Sequence, residues 1–174
     1  MKRFLTTLLL VIIAICSVSA QQTANQTALK KVYNEDLNQM TQIDSALNVA
    51  KKEGKNVICQ VGGNWCPWCL RFAAFATDNA EVSKAIAADY VYIHVNYSRK
   101  SSQDAARAAV TKQMLQRLNN PQRFGFPVFV VLADDGSVLH IQDSSFLEEG
   151  EGYSQEKTLR FLGAWTPKAC RGEK

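Results

Sequence analysis

The sequence predicts an α/β domain with a mixed central sheet covered by helices on both faces, and three observations carry that expectation. Short β-rich runs alternate with segments of helical periodicity along most of the chain. Two apolar runs meet at Ala133-Asp134-Asp135-Gly136, a hairpin signal that makes part of the sheet antiparallel. With 174 residues, 47% hydrophobic and 21% charged, the chain fits one ordinary globular domain whose core can carry the fold without a disulfide framework.

The chain opens with what reads as a secretory signal over residues 1–20. Lys2 and Arg3 form a basic start, Phe4 to Ile15 is almost unbroken apolar sequence, and Ser17-Val18-Ser19-Ala20 offers small residues for cleavage. A membrane anchor fits less well, since about 20 consecutive apolar residues are needed to span a bilayer. A lipid on Cys16 is disfavoured by the bulk of Ile15. Cleavage removes Lys2 and Arg3 and no acidic residue, so the net charge falls from +4 to +2, too balanced for nucleic-acid binding. The expected product is periplasmic or secreted, with no stable membrane anchor. It keeps Cys59, Cys66, Cys69 and Cys170 in a compartment where disulfides persist, and four cysteines permit three full pairings.

Residues 21–40 form a polar leader with little structure of its own, and the domain proper is expected over 41–166. Ile43, Ala46, Leu47 and Ala50 recur at helical spacing, and Lys51-Lys52-Glu53-Gly54 supplies a helix C-terminus. Val57 to Val61 is short, β-rich and bounded by glycines, which suits a buried strand. Leu70 to Ala76 is helical, Thr77-Asp78-Asn79 breaks the run, and Glu81 to Ala88 resumes it. Tyr90 to Val95 reads as the next strand. A polar, basic stretch from Ser98, read as a solvated face, leads into a helix at about Gln103 to Leu118 that Asn119-Asn120-Pro121 stops. Phe126 to Leu132 and Ser137 to Ile141 are the hairpin strands. Glu149-Gly150-Glu151-Gly152 is expected as a loose loop, Ser154 to Trp165 as an amphipathic helix, and 167–174 as a polar tail carrying Cys170. No internal repeat or second domain is evident.

Trp65-Cys66-Pro67-Trp68-Cys69 falls where a strand gives way to a helix, with Pro67 at the favoured first helical position. Cys66 then caps the helix. Its sulfur faces free N–H groups and the positive end of the helix dipole, both of which favour thiolate. Cys69 lies three residues on, within disulfide reach. Such a pair opens and closes without refolding: Cys66 attacks a substrate disulfide and Cys69 resolves the mixed disulfide. A zinc site would need a second such pair, and His94 and His140 stand singly in strands. A structural bridge closing so small a loop would stabilise little.

These residues resemble the thioredoxin superfamily over about Asp44 to Trp165. The likeness rests on Gly62-Gly63-Asn64 before the cysteine motif, on Gly125-Phe126-Pro127 opening a strand, and on the Asp135-Gly136 hairpin. The Ala46 to Lys55 segment is similar to the exported subgroup that includes the C-terminal domain of the thiol:disulfide interchange protein. The resemblance implies a three-layer thioredoxin-like fold. It implies that Pro127 is a cis-proline facing the cysteine pair, and that the Phe126 backbone pairs with an extended substrate segment. It also marks a departure. The buried aspartate of thioredoxins falls on Gln60 and its companion lysine near Tyr92, so both charges are missing, and an amide is no base at neutral pH.

The function expected is therefore thiol:disulfide exchange with exported protein substrates and a redox partner, catalysed by Cys66 and Cys69. Trp65, Pro67, Trp68, Phe126 and Pro127 are expected to shape the substrate surface, with no metal or organic cofactor implied. The competing expectation is a protein-binding module whose disulfide is permanent. Cys59 is expected to be an inert core thiol. Cys170 is either a loose tail thiol or a partner for another chain.

Overall fold

In the computed structural model, which describes residues 29–98 and 104–173, Asn38 starts the first helix, α1 (Gln39–Glu53), by accepting the Met40 and Thr41 amides. The helix therefore begins ahead of Ile43, the first residue that periodicity alone marks. Gly54 ends it at φ 65°, a conformation natural to glycine. β1 (Asn56–Gly62) follows, then α2 (Pro67–Asp78) and α3 (Ala80–Asp89). Asn79 separates these two helices, and its side chain caps the second by accepting the Val82 amide. β2 (Tyr90–Asn96) comes next, and the described part of the crossover ends in α4 (Ala105–Arg117), capped by Asp104. The hairpin strands are β3 (Val128–Leu132) and β4 (Val138–Asp143). The expected signal at 1–20 with Cys16, the leader up to residue 28, and residues 99–103 lie outside the described residues.

Three further boundaries differ from the sequence expectation, each for a physical reason. β3 starts at Val128 rather than Phe126, because Pro127 has no N–H to give the ladder. Glu149 to Gly152 is not a loose loop. Two-residue strands β5 (Glu148–Glu149) and β6 (Gly152–Tyr153) pair across it, with Gly150 at φ 58° in the turn. The last amphipathic helix, α5 (Gln155–Ala164), is followed by a short helix, α6 (Pro167–Cys170), within the expected polar tail. Thr166 caps α6 by accepting the Ala169 amide at 3.0 Å.

The main sheet has the order β2-β1-β3-β4. β1 runs parallel to β2 and antiparallel to β3, so the sheet is mixed, as the sequence predicts. Alternation along β1 feeds two cores. Val57, Cys59 and Val61 face α1 and α4, packing with Ile43, Ala46, Ala50, Met114 and Leu118. Ile58 faces the other way, into a cluster with Phe72, Val82, Phe129, Phe161 and Leu162 from α2, α3, β3 and α5. Helices thus cover both faces, and each fully buried aliphatic side chain contributes about 1.5–3 kcal/mol. Among the described residues, no helix is long and apolar enough to cross a membrane.

Candidate active site

β1 ends at Gly62, and a tight turn, in which the Cys66 amide donates to the Gly63 carbonyl at 3.0 Å, throws the chain into α2. Cys66 is the N-cap of α2 and Pro67 its first residue, as the sequence predicts. The Cys66 Sγ accepts the Cys69 amide at 3.2 Å, and no acidic residue in the first turn offsets the positive helix end. Cys66 and Cys69 are joined in a disulfide with Cα atoms 5.2 Å apart. The two differ in access: Cys66 is 5% exposed and Cys69 0%.

The surroundings come from four further segments. The Phe126–Pro127 peptide bond is cis, Pro127 is buried, and the Phe126 carbonyl oxygen lies 3.6 Å from Cys66 Sγ. Phe126 stacks on Tyr97 and meets the edge of Trp65, whose indole N–H donates to the Tyr97 carbonyl at 2.9 Å. Trp68 packs against the same buried cluster of Tyr33, Cys66, Cys69 and Leu70 as Trp65 and Phe126, and its ring also meets Tyr153 of β6 edge-on and lies under the Arg71 guanidinium. Pro67 is exposed between the two indoles in sequence. The structure thus gathers Trp65, Trp68 and Phe126 around the cysteine pair, with Pro127 next to Phe126 and Trp68 also held by Tyr153.

Gln60 is wholly buried below the pair. Its Nε2 donates to the Tyr33 hydroxyl at 2.6 Å and to the Cys69 carbonyl at 2.8 Å, while the Tyr92 hydroxyl donates to its Oε1. The positions that the resemblance assigns to an aspartate and a lysine are therefore side by side and joined through neutral groups. Burial raises the hydroxyl pKa values of both Tyr33 and Tyr92 far above the ordinary phenol range. Cys59 is buried in the opposite core, where loss of water pushes its thiol up to about 12, fitting the inert thiol expected. Cys170 is exposed and unbonded to another cysteine.

Sequence reasoning missed two members of this site. Tyr33 sits in the leader, whose described residues before α1, 29–38, form no helix or strand yet are pinned by Asn64: its Oδ1 accepts the Val32 and Tyr33 amides, each at 3.1 Å. Asn64 Nδ2 donates back to the Tyr33 carbonyl at 2.8 Å. The one available signal was the apolar pair Val32-Tyr33 in an otherwise polar stretch. Tyr153, the other omission, also donates through its hydroxyl to the Trp68 carbonyl at 3.2 Å.

A mixed sheet between helical layers, with a bonded C-x-x-C pair opening a helix opposite a cis-proline, defines the thioredoxin class of protein. The profile of the thioredoxin-like domain matches residues 43–143, and the chain belongs to that family. No relative among curated proteins matches the sequence. Among solved structures, the disulphide isomerase from Xylella fastidiosa Temecula1 is similar with a TM-score of 0.63 and 22% identity, over 78% of this chain and 97% of that one. The oxidoreductase DsbH gives 0.49 and 17%, over 83% and 91%. The oxidised C-terminal domain of DsbD from Neisseria meningitidis gives 0.42 and 17%, over 77% and 95%. At 22% identity the first of these speaks to fold alone, so chemistry has to be argued from the site.

Proposed function

We propose that this protein is a thiol:disulfide oxidoreductase acting on exported protein substrates, with Cys66 as the entering sulfur and Cys69 as the resolving one. The observation that carries the reading is the difference between the two sulfurs. Cys66 caps α2 and keeps an exposed edge beside Phe126, whereas Cys69 is sealed beneath it.

Reduction of a substrate begins with the Cys66 thiolate, which the helix N-terminus favours. It attacks a substrate disulfide, forms a mixed disulfide, and releases one substrate thiolate, which takes a proton from water. Cys69, as thiolate, then attacks Cys66 Sγ, closes the Cys66–Cys69 bond and releases the second substrate thiolate. Two electrons pass from the pair to the substrate. Run backwards, the same steps oxidise a substrate dithiol and leave the pair reduced. Turnover in either direction needs a redox partner that exchanges electrons with the pair. Phe126 and Pro127 form the ledge along which an extended substrate segment lies, with Trp65 at its side. The apolar signal-like segment at 1–20 supports export to the periplasm or beyond.

Cys69→Ser tests the reading directly. In an extract from the native compartment this variant should accumulate disulfide-linked adducts through Cys66, visible on a non-reducing gel and lost with Cys66→Ser. Absence of any adduct would remove the catalytic role and leave a binding module with a fixed disulfide.

A further inference from the structure

The pocket under Cys69 is built from uncharged groups of three elements, and their donors and acceptors can be assigned one by one. The Cys69 carbonyl only accepts, so the side of the Gln60 amide facing it must be Nε2. Oε1 then turns to Tyr92, which donates to it. Both Nε2 hydrogens are committed, one to the Cys69 carbonyl and one to the Tyr33 oxygen at 2.6 Å. The Tyr33 oxygen is therefore an acceptor in this chain, and its own hydrogen is free to point onward.

Gly62 marks a space that lies beside both this hydroxyl and the resolving sulfur. A Cβ on that residue would lie 2.5 Å from Cys69 Sγ and 2.8 Å from the Tyr33 hydroxyl oxygen. The sulfur and the hydroxyl thus both border the space that the missing Gly62 side chain leaves. A disulfide sulfur is a weak acceptor, but a thiolate in the same place is a strong one. We infer that Tyr33 donates a hydrogen bond to the Cys69 thiolate when the disulfide opens, and so holds the buried resolving sulfur in its reactive, charged form.

The inference rests on the reading of Cys66 and Cys69 as an exchanging pair. When a substrate thiolate attacks Cys66 Sγ, the Cys66–Cys69 bond breaks with its electron pair on Cys69, and the Tyr33 hydrogen turns to that new charge. Cys69 later takes a proton from water. In the other direction the thiolate gives up the Tyr33 hydrogen bond as it attacks Cys66 Sγ and expels the substrate thiolate. Tyr33 keeps its proton throughout, because burial holds the phenol neutral. The titratable groups facing the pocket are Tyr33 from the leader, Tyr92 and His94 from β2, Tyr153 from β6, and Cys66 from α2. No carboxylate, ammonium or guanidinium group is among the buried side chains of the described residues.

The test follows the Cys69 thiol by its 13Cβ shift against pH in a Cys66→Ser chain, with and without Tyr33→Phe. Loss of one hydrogen bond to the charged form should raise the Cys69 pKa by about one to two units, a ten- to hundredfold smaller thiolate fraction at neutral pH. Superimposable titrations would overturn the inference. Should Tyr33→Phe fail to fold because Gln60 Nε2 is left without its acceptor, the comparison moves to Gln60→Leu/Tyr92→Phe with and without Tyr33→Phe. That background has no amide donor to strand, and the same rise is expected; its absence again overturns the assignment. The readout needs no protein substrate, so a failure to trap adducts with Cys69→Ser and a failure of this shift are separate results.

Discussion

An amide at residue 60 changes what the buried pocket costs and what it does. A carboxylate there would have to be desolvated or protonated, whereas every donor and acceptor of Gln60 is met by a neutral partner. His94, whose backbone pairs with Gln60 across β1 and β2, is the opposite case. Its ring packs edge-on to Tyr33 and Tyr92, and its buried Nε2 has no hydrogen-bond partner. Burial lowers its pKa from the ordinary 6.5 to about 4. Between those values the unfolded chain binds a proton that the folded chain refuses. Stability from this group is complete above pH 6.5 and is lost as pH falls toward 4, by about 3 kcal/mol in all. Unfolding midpoints in urea should drop across that window, and His94→Phe should remove most of the slope. An unchanged slope would assign the acid sensitivity to other groups.

At the scale of elements, the leader is held by side-chain contacts rather than by secondary structure. Asn64→Ala removes the acceptor of the Val32 and Tyr33 amides and the donor to the Tyr33 carbonyl, and should cost about 1–3 kcal/mol. Hydrogen exchange at Val32 and Tyr33 should speed up while β1 stays protected; unchanged protection would mean that the leader is fixed by packing alone. The same feature explains what the sequence disclosed and what it hid. The Cys66 cap, the Pro67 start, the Gly54 stop and the Asp135-Gly136 turn are local signals, and each lies where its chemistry places it. Tyr33 reaches the pocket through Asn64, a residue 31 positions away, and no local pattern encodes such a partnership. The β5–β6 pair was hidden for another reason. Two-residue strands carry no alternation to read, yet this pair is what brings Tyr153 against Trp68 and Phe72.

Across the whole molecule, two cores on either side of β1 and β3 fix the position of the C-terminal end of β1, where the cysteine pair sits. The scaffold stands on buried Val57, Ile58, Phe72, Phe129 and Val130, so opening the disulfide should leave it folded. The reduction potential of the pair should accordingly fall among catalysts, between about −270 and −120 mV, as measured by equilibration with glutathione or dithiothreitol. A value below about −300 mV would identify a structural bond. The cysteine motif and the three layers were legible from the sequence because both follow from short-range periodicity and punctuation. The make-up of the pocket was not, because it is assembled by β1, β2 and the leader meeting in space. Its wholly neutral lining has one more consequence. Dipoles attract no cloud of counter-ions, so the environment beneath Cys69 should stay the same from dilute buffer to brine, whatever happens to the charges on the outer surface.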